Sequence, residues 1–277
     1  MTPDEYCRQK AAASGSSFYY SFLFLPDEKR RAITALYAFC REVDDVVDEC
    51  TDAAVARMKL AWWRDEVSAM YHGEPQHPVT RALAALLPRF DLPEARLHEI
   101  IAGMEMDLDG NRYSDFEALK LYCHRVASVV GLLSAEIFGY SDRRTLDYAA
   151  DLGMAFQLTN IIRDVGEDAR RDRIYLPQDE LARYGVPVAD ISEARESENF
   201  HRLMEFQIER ALGYYREAFS KLPDTDRKAQ RAGIVMAAIY QKLLEEIRAD
   251  GCQVLRQRTS LTPVCKLWIA WNAWIRG

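Results

Sequence analysis

"FQLTNIIRDVGEDARRDRIYLP", residues 156–177, sets polar side chains where an apolar core face is due. It grows out of the mostly apolar run LGMAFQLTNII, and Gln157, Asn160, Asp164 and Asp168 continue that run at i, i+3, i+7 and i+11. At roughly 100° per residue on a helix, the four fall within an arc of about 80°. Such a line of oxygens on an inward face costs about 1–3 kcal/mol for each group left without a partner. The stretch therefore reads as a helix that offers oxygen ligands to something inside the protein.

A second stretch, "REVDDVVDE" at 41–49, follows the apolar run ITALYAF and repeats the arrangement. Tyr37, Arg41, Asp44 and Asp48 share an arc of about 60°, whereas Asp45 points roughly 100° away from Asp44. Alone, this helix reads equally well as a solvated Arg–Asp face. Two oxygen-bearing stripes on two helices instead predict a shared cleft that holds cations. Oxygen donors without His or Cys select a hard metal, and Mg²⁺ suits carboxylates combined with phosphate oxygens. Mn²⁺ is the expected substitute. Arg41, Arg163, Arg170, Arg171 and Arg173 lie near the same acids, and guanidinium forks match phosphate. Plain ion pairing accounts for part of Arg170 and Arg171. The expected ligand is a diphosphate held through Mg²⁺.

The rest of the chain frames this reading. It has 277 residues, 49% of them hydrophobic, which suits a globular protein with a substantial core. A net charge of −7 argues against general nucleic-acid binding. The cysteines at 7, 40, 50, 123, 252 and 265 form no CxxC pair, as in a reducing cytosol. The start, MTPDEYCRQK, lacks the layout of a signal peptide, and no run approaches eighteen apolar residues, so no segment is expected to span a bilayer. Helical apolar spacing recurs over 29–48, 54–71, 94–109, 115–138, 144–165, 192–221 and 226–250. Short breaks containing Gly or Pro separate these segments, and alternating strand patterns are absent. The expectation is one all-α domain spanning 1–277.

"DDVVD" and "NIIRDVGED", with "YCHRVASVVG" between them and "RIYLP" after, resemble the squalene/phytoene synthase family over essentially the whole chain. The resemblance implies an all-α isoprenoid synthase fold with helices around a central cavity. It also implies an Mg²⁺-dependent prenyltransferase that joins two prenyl diphosphates head to head. Carried over residue by residue, Asp44, Asp48, Asn160, Asp164 and Asp168 become metal ligands. Tyr37, Arg41, Gln157 and Arg163 line the diphosphate and the cavity. Ser14, Ser17 and Phe18, in "ASGSSFYYSF", match a phosphate-contacting loop. Tyr122 and Val126 match cavity-facing positions, and Arg173 and Tyr175 match the segment that closes the site.

Within the family, "GMEMDLDGNRY" and the N-terminal segment point to the branch that makes presqualene diphosphate for hopanoids, with farnesyl diphosphate as substrate and no need of NADPH. Phytoene synthases, which take C20 substrates, share much of the pattern, and a full squalene or dehydrosqualene synthase is a further alternative. Two other classes compete: a silent relative acting in assembly would have lost metal ligands, and a terpene cyclase lacks the "YCHRVASVVG" and "RIYLP" context. The expected location is cytoplasmic, with docking on the inner face of a membrane. That docking would use "TPVCKLWIAWNAWIRG", unless its tryptophans pack on the core; later enzymes of squalene formation are possible partners.

Overall fold

The computed structural model describes residues 1–13, 21–22, 25–110 and 112–276, so Ser14, Ser17 and Phe18 lie outside the described residues. Among the described residues the regular structure is helical, and the one extended pairing is an isolated bridge between Arg112 and Ile174. The helices are α1 (Pro3–Ala13), α2 (Asp27–Glu49), α3 (Ala53–His72), α4 (Pro78–Ala84), α5 (Glu94–Met106) and α6 (Phe116–Phe138). They continue as α7 (Arg144–Arg170), α8 (Gln178–Tyr184), α9 (Val188–Ser192), α10 (Glu198–Lys221), α11 (Arg231–Ala249) and α12 (Pro263–Arg276).

Local chemistry sets the ends of these helices. Asp52 caps α3 by accepting from the Ala54 amide at 2.8 Å, and Gly73, at φ 89°, closes it. Asp115 and Ser197 cap α6 and α10 in the same way, at 2.9 and 3.1 Å. The helix expected over 192–221 starts instead at Glu198, because the short α9 ends at Ser192, Ala194 turns the chain at φ 52° and Ser197 restarts it. The apolar period runs through this break, which hides it in the sequence. The helices α1, α4 and α8 were not anticipated; α1 is held on α2 by Tyr6 and Lys10, which reach Glu42 at 2.7 and 3.1 Å.

Two buried clusters fill the interior, one around α2, α3 and α5 and one around α7, α10 and α11, and Val126 packs against both. Contrary to expectation, α6 is long and apolar enough by composition to cross a bilayer. It packs instead inside the bundle, between α5 and α7. A π turn at His124–Ser128 interrupts it. Here α6 and α7 meet backbone to backbone: a Cβ on Gly131 would stand 2.3 Å from the Ala149 carbonyl oxygen, and one on Gly153 2.4 Å from that of Ala127.

The start of α7 is anchored from a distance. Buried Asp226 accepts hydrogen bonds from the Ser141 amide at 2.8 Å, the Asp142 amide at 3.0 Å and the Ser141 and Thr145 hydroxyls at 2.6 and 2.7 Å. Burial pushes this carboxyl up, but the hydrogen bonds outweigh it and hold the pKa at about 2, below the ordinary 3.8. A depressed carboxylate stabilises the fold above its unfolded pKa, and the benefit is lost as pH falls from about 4 toward 2. Asp226→Asn is expected to cost about 2 kcal/mol at neutral pH, measured by urea denaturation, with the difference from the parent shrinking through that acid window.

Candidate active site

The helices α2, α6, α7 and α11 surround one cavity of about 450 Å³. Away from the acids its lining is mostly apolar, with Ile33, Phe138, Leu152 and Met236 beside Ser134, Tyr148 and Gln230. Its near end is ionic. Position along each helix decides which: residues 33–40 of α2 and 148–156 of α7 supply apolar wall, and residues 41–48 and 157–168 supply charge. The two stripes read from the sequence thus meet across one cleft. Every described residue expected at the site lines it: Tyr37, Arg41, Asp44 and Asp48 from α2; Tyr122 and Val126 from α6; Gln157, Asn160, Arg163, Asp164 and Asp168 from α7; and Arg173 and Tyr175 beyond it.

Arginines bind the aspartates tightly. Arg41 Nη1 donates to Asp44 at 2.6 Å, and Arg173 Nη1 donates to Asp48 at 2.6 Å while its Nη2 reaches the Val47 carbonyl at 2.8 Å. Arg171 adds a contact to Asp48 at 3.0 Å, whereas Arg170 is exposed. Arg163 donates from Nε to Asp164 at 2.7 Å. Asp45 stays outside the cavity lining, held by Lys10 at 2.8 Å and by the second Nη of Arg41. Burial pushes Asp44 up to about 6, with Arg41 opposing and Asp48 reinforcing the shift. Burial also raises Asp168 to about 7, helped by Asp164, and among the described residues it has no arginine at ion-pair distance. Burial pushes Asp164 the same way, but Arg163 and Arg258 outweigh it and hold its carboxyl below the usual range.

These residues fit a hard cation in donor type. The Asn160 Oδ1 is buried with no hydrogen-bond partner among the described residues, and burial together with neighbouring carboxylates pushes Asp44 and Asp168 up. Among the described residues, however, no three His, Cys, Asp or Glu side chains are gathered closely enough to form a ready cage. Asp44, Asp48 and Asp164 are turned to arginines, so the expected ligands share a cleft without converging on one point.

Three residues at this end were not anticipated. Arg258, from the loop before α12, donates to Asp164 at 2.8 Å and lies 3.1 Å from Glu167. Tyr240, on α11, is a side-chain partner of Arg163. Neither belongs to a local pattern that the sequence displays. Buried Asp107, just after α5, accepts from the Tyr175 hydroxyl at 2.9 Å and the Tyr122 hydroxyl at 3.1 Å. Burial raises Asp107 to about 7. Tyr122 and Tyr175 stack with ring centroids 5.1 Å apart, and Tyr113 stacks on Tyr175 at 6.1 Å. The signal for Asp107 was one of two acids interleaved with apolar residues in GMEMDL, too short a cue to rank as a site.

With this geometry in view, relatives of the chain can be compared. Residues 11–265 match the squalene/phytoene synthase family model. A phytoene synthase of Arthrospira platensis is 37% identical over 267 residues, covering 92% of this chain and 86% of that one. Among solved structures, a dehydrosqualene synthase is similar with a TM-score of 0.89 at 28% identity, over 98% of this chain and 95% of that one. The squalene synthase HpnC from Alicyclobacillus acidocaldarius gives a TM-score of 0.79 at 28% identity, over 90% and 94% of the two chains. The chain belongs to the squalene/phytoene synthase family.

Proposed function

We propose that the protein joins two farnesyl diphosphates head to head, giving presqualene diphosphate and releasing diphosphate. One observation carries this reading. Asp44 and Asp48 share with Asn160, Asp164 and Asp168 the ionic end of a cavity whose remaining lining is mostly apolar. That is a container for a molecule with an anionic head and a hydrocarbon tail.

The expected holders of Mg²⁺ are Asp44, Asp48, Asn160, Asp164 and Asp168. When bound, Mg²⁺ supplies neutralisation of negative charge on a leaving diphosphate. The chain's own residues do the rest. Arg41, Arg163, Arg171, Arg173 and Arg258 offer forks to the diphosphate oxygens, and fixed positive charge aimed at a departing anion is a leading catalytic term. Diphosphate leaves one substrate as an allylic cation, the apolar walls exclude water from it, and the 2,3-double bond of the second substrate attacks it. Loss of one proton to the released diphosphate then closes the cyclopropane. Tyr122 and Tyr175, stacked on one another, line the cavity beside this chemistry.

A second reading has its own support. The Arthrospira relative is a phytoene synthase, so two geranylgeranyl diphosphates are the competing substrates. Incubation with each labelled diphosphate, with and without NADPH, separates the readings. Presqualene diphosphate is expected to accumulate in both conditions. Squalene as the main product with NADPH, or a strong preference for the C20 substrate, would overturn the assignment.

A further inference from the structure

On α7, Tyr148 is the lining residue that lies furthest from the acids. It is the first residue of that helix in the cavity wall and Asp168 is the last, about 30 Å further on at the helical rise. The side chain is wedged in place. It is 1% exposed, and its ring centroid lies 5.9 Å from that of Phe219. Three residues earlier, the Thr145 hydroxyl is tied to Asp226 at 2.7 Å. One residue later, the Ala149 carbonyl oxygen comes so near Gly131 that a Cβ there would stand 2.3 Å away. The backbone on both sides of Tyr148 is thereby held.

What the side chain contributes there is bulk. Its hydroxyl is buried and has no hydrogen-bond partner among the described residues. A hydroxyl in that condition costs about 1–3 kcal/mol, which a phenylalanine would avoid. The oxygen nevertheless occupies space that α11 leaves open by carrying a glycine. A Cβ on Gly233 would stand 2.9 Å from the Tyr148 hydroxyl oxygen and 3.4 Å from Leu152 Cδ2. Gly233 and Leu152 line the same cavity, so the tyrosine, the leucine and the missing side chain together shape its wall.

We propose that Tyr148 is the length gauge of this cavity, a bulky stop that admits a C15 chain and excludes a C20 chain. The proposal rests on the prenyl diphosphate reading above. Asn160 follows Tyr148 on α7 at a distance of about 18 Å along the helix. With bonds of about 1.5 Å laid in zigzag, each isoprene unit of an extended chain reaches about 5 Å. From a diphosphate at the level of Asn160, three units extend about 15 Å and stop short of the ring. A fourth unit carries the chain to about 20 Å, past the place that the ring holds.

The test is binding of the thiolo analogues of farnesyl and geranylgeranyl diphosphate, in which sulfur replaces the ester oxygen, by titration calorimetry with Mg²⁺ present. The wild type is expected to bind the C15 analogue at least about tenfold more tightly than the C20 analogue. Tyr148→Ala should bring the two affinities within about twofold, chiefly by tightening the C20 one. Tyr148→Leu should move the ratio part of the way, and it decides the matter if the alanine variant loses its helical circular dichroism. Tyr148→Phe should keep the wild-type ratio, because the ring remains. Alanine and leucine variants that keep the wild-type ratio would overturn the proposal, and so would a wild type that prefers the C20 analogue. A phenylalanine variant that loses the selection would also overturn it, by assigning the selection to the hydroxyl. Selective binding by a protein that condenses neither diphosphate would count against the enzymatic reading and leave the gauge in place.

Discussion

Asp44→Asn and Asp164→Asn are each expected to lower turnover by about three orders of magnitude and to leave the helical circular dichroism unchanged. The substitution keeps the side chain's shape and removes its charge, so the loss measures what a carboxylate does at the ionic end of the cavity. The two residues differ in a useful way. Arg163 and Arg258 hold the Asp164 carboxyl below the usual range against its burial, whereas burial pushes Asp44 up to about 6. If the carboxylates served only as partners for arginine, Asp164→Asn would cost far more than Asp44→Asn, because the former leaves two guanidinium groups without their acid. If both hold a cation, the losses are similar. Chelation with EDTA should abolish turnover, and added Mg²⁺ should restore it. Full activity in EDTA would remove the metal from the account.

Gly153→Ala is expected to destabilise the fold by about 3 kcal/mol, or roughly 6–10 °C in Tm by differential scanning calorimetry. The added methyl would stand 2.4 Å from the Ala127 carbonyl oxygen and 2.7 Å from the Ser128 Cα. Those atoms are backbone of the π turn, so no side chain can swing aside to make room. Gly213→Ala in α10 is the control, because the nearest atom there is the mobile end of Arg216 at 3.9 Å. With no clash and a better helix former, it should gain up to about 1 kcal/mol. Equal effects of the two substitutions would mean that close approach of α6 and α7 contributes nothing.

The site was legible where it lay on long helices. Residues such as Asp44 and Asp48, or Asn160, Asp164 and Asp168, share a face by spacing alone, and polarity on a face that should be apolar marks them. Tyr122 and Tyr175 came through family resemblance, and the cavity confirms where they sit without testing what they do. Asp107, Tyr240 and Arg258 stayed hidden because tertiary packing brings them in singly. Asp107 follows a helix end, and Arg258 stands in a loop whose course is set by contacts such as the Gly166 amide donating to Val254 at 3.2 Å. The divided helix at 192–198 was missed for a different reason. A backbone turn at φ 52° on an alanine leaves no trace in residue type.

The π turn in α6 bears on how this protein can change length. Tyr122, Val126, Val130, Ser134 and Phe138 all line the cavity in steps of four. On a straight α-helix each such step overshoots one full revolution by about 40°, so five residues would fan across some 160°. The turn at His124–Ser128 holds one residue more than the α-helical turn it replaces and winds part of that drift back. Deleting any one of those five residues would let the helix close into regular hydrogen bonding at no cost to its backbone. It would also swing the Phe116–Cys123 half by about 100° against the rest and carry the Tyr122 hydroxyl away from Asp107. In this segment the number of residues is under tighter constraint than their identity.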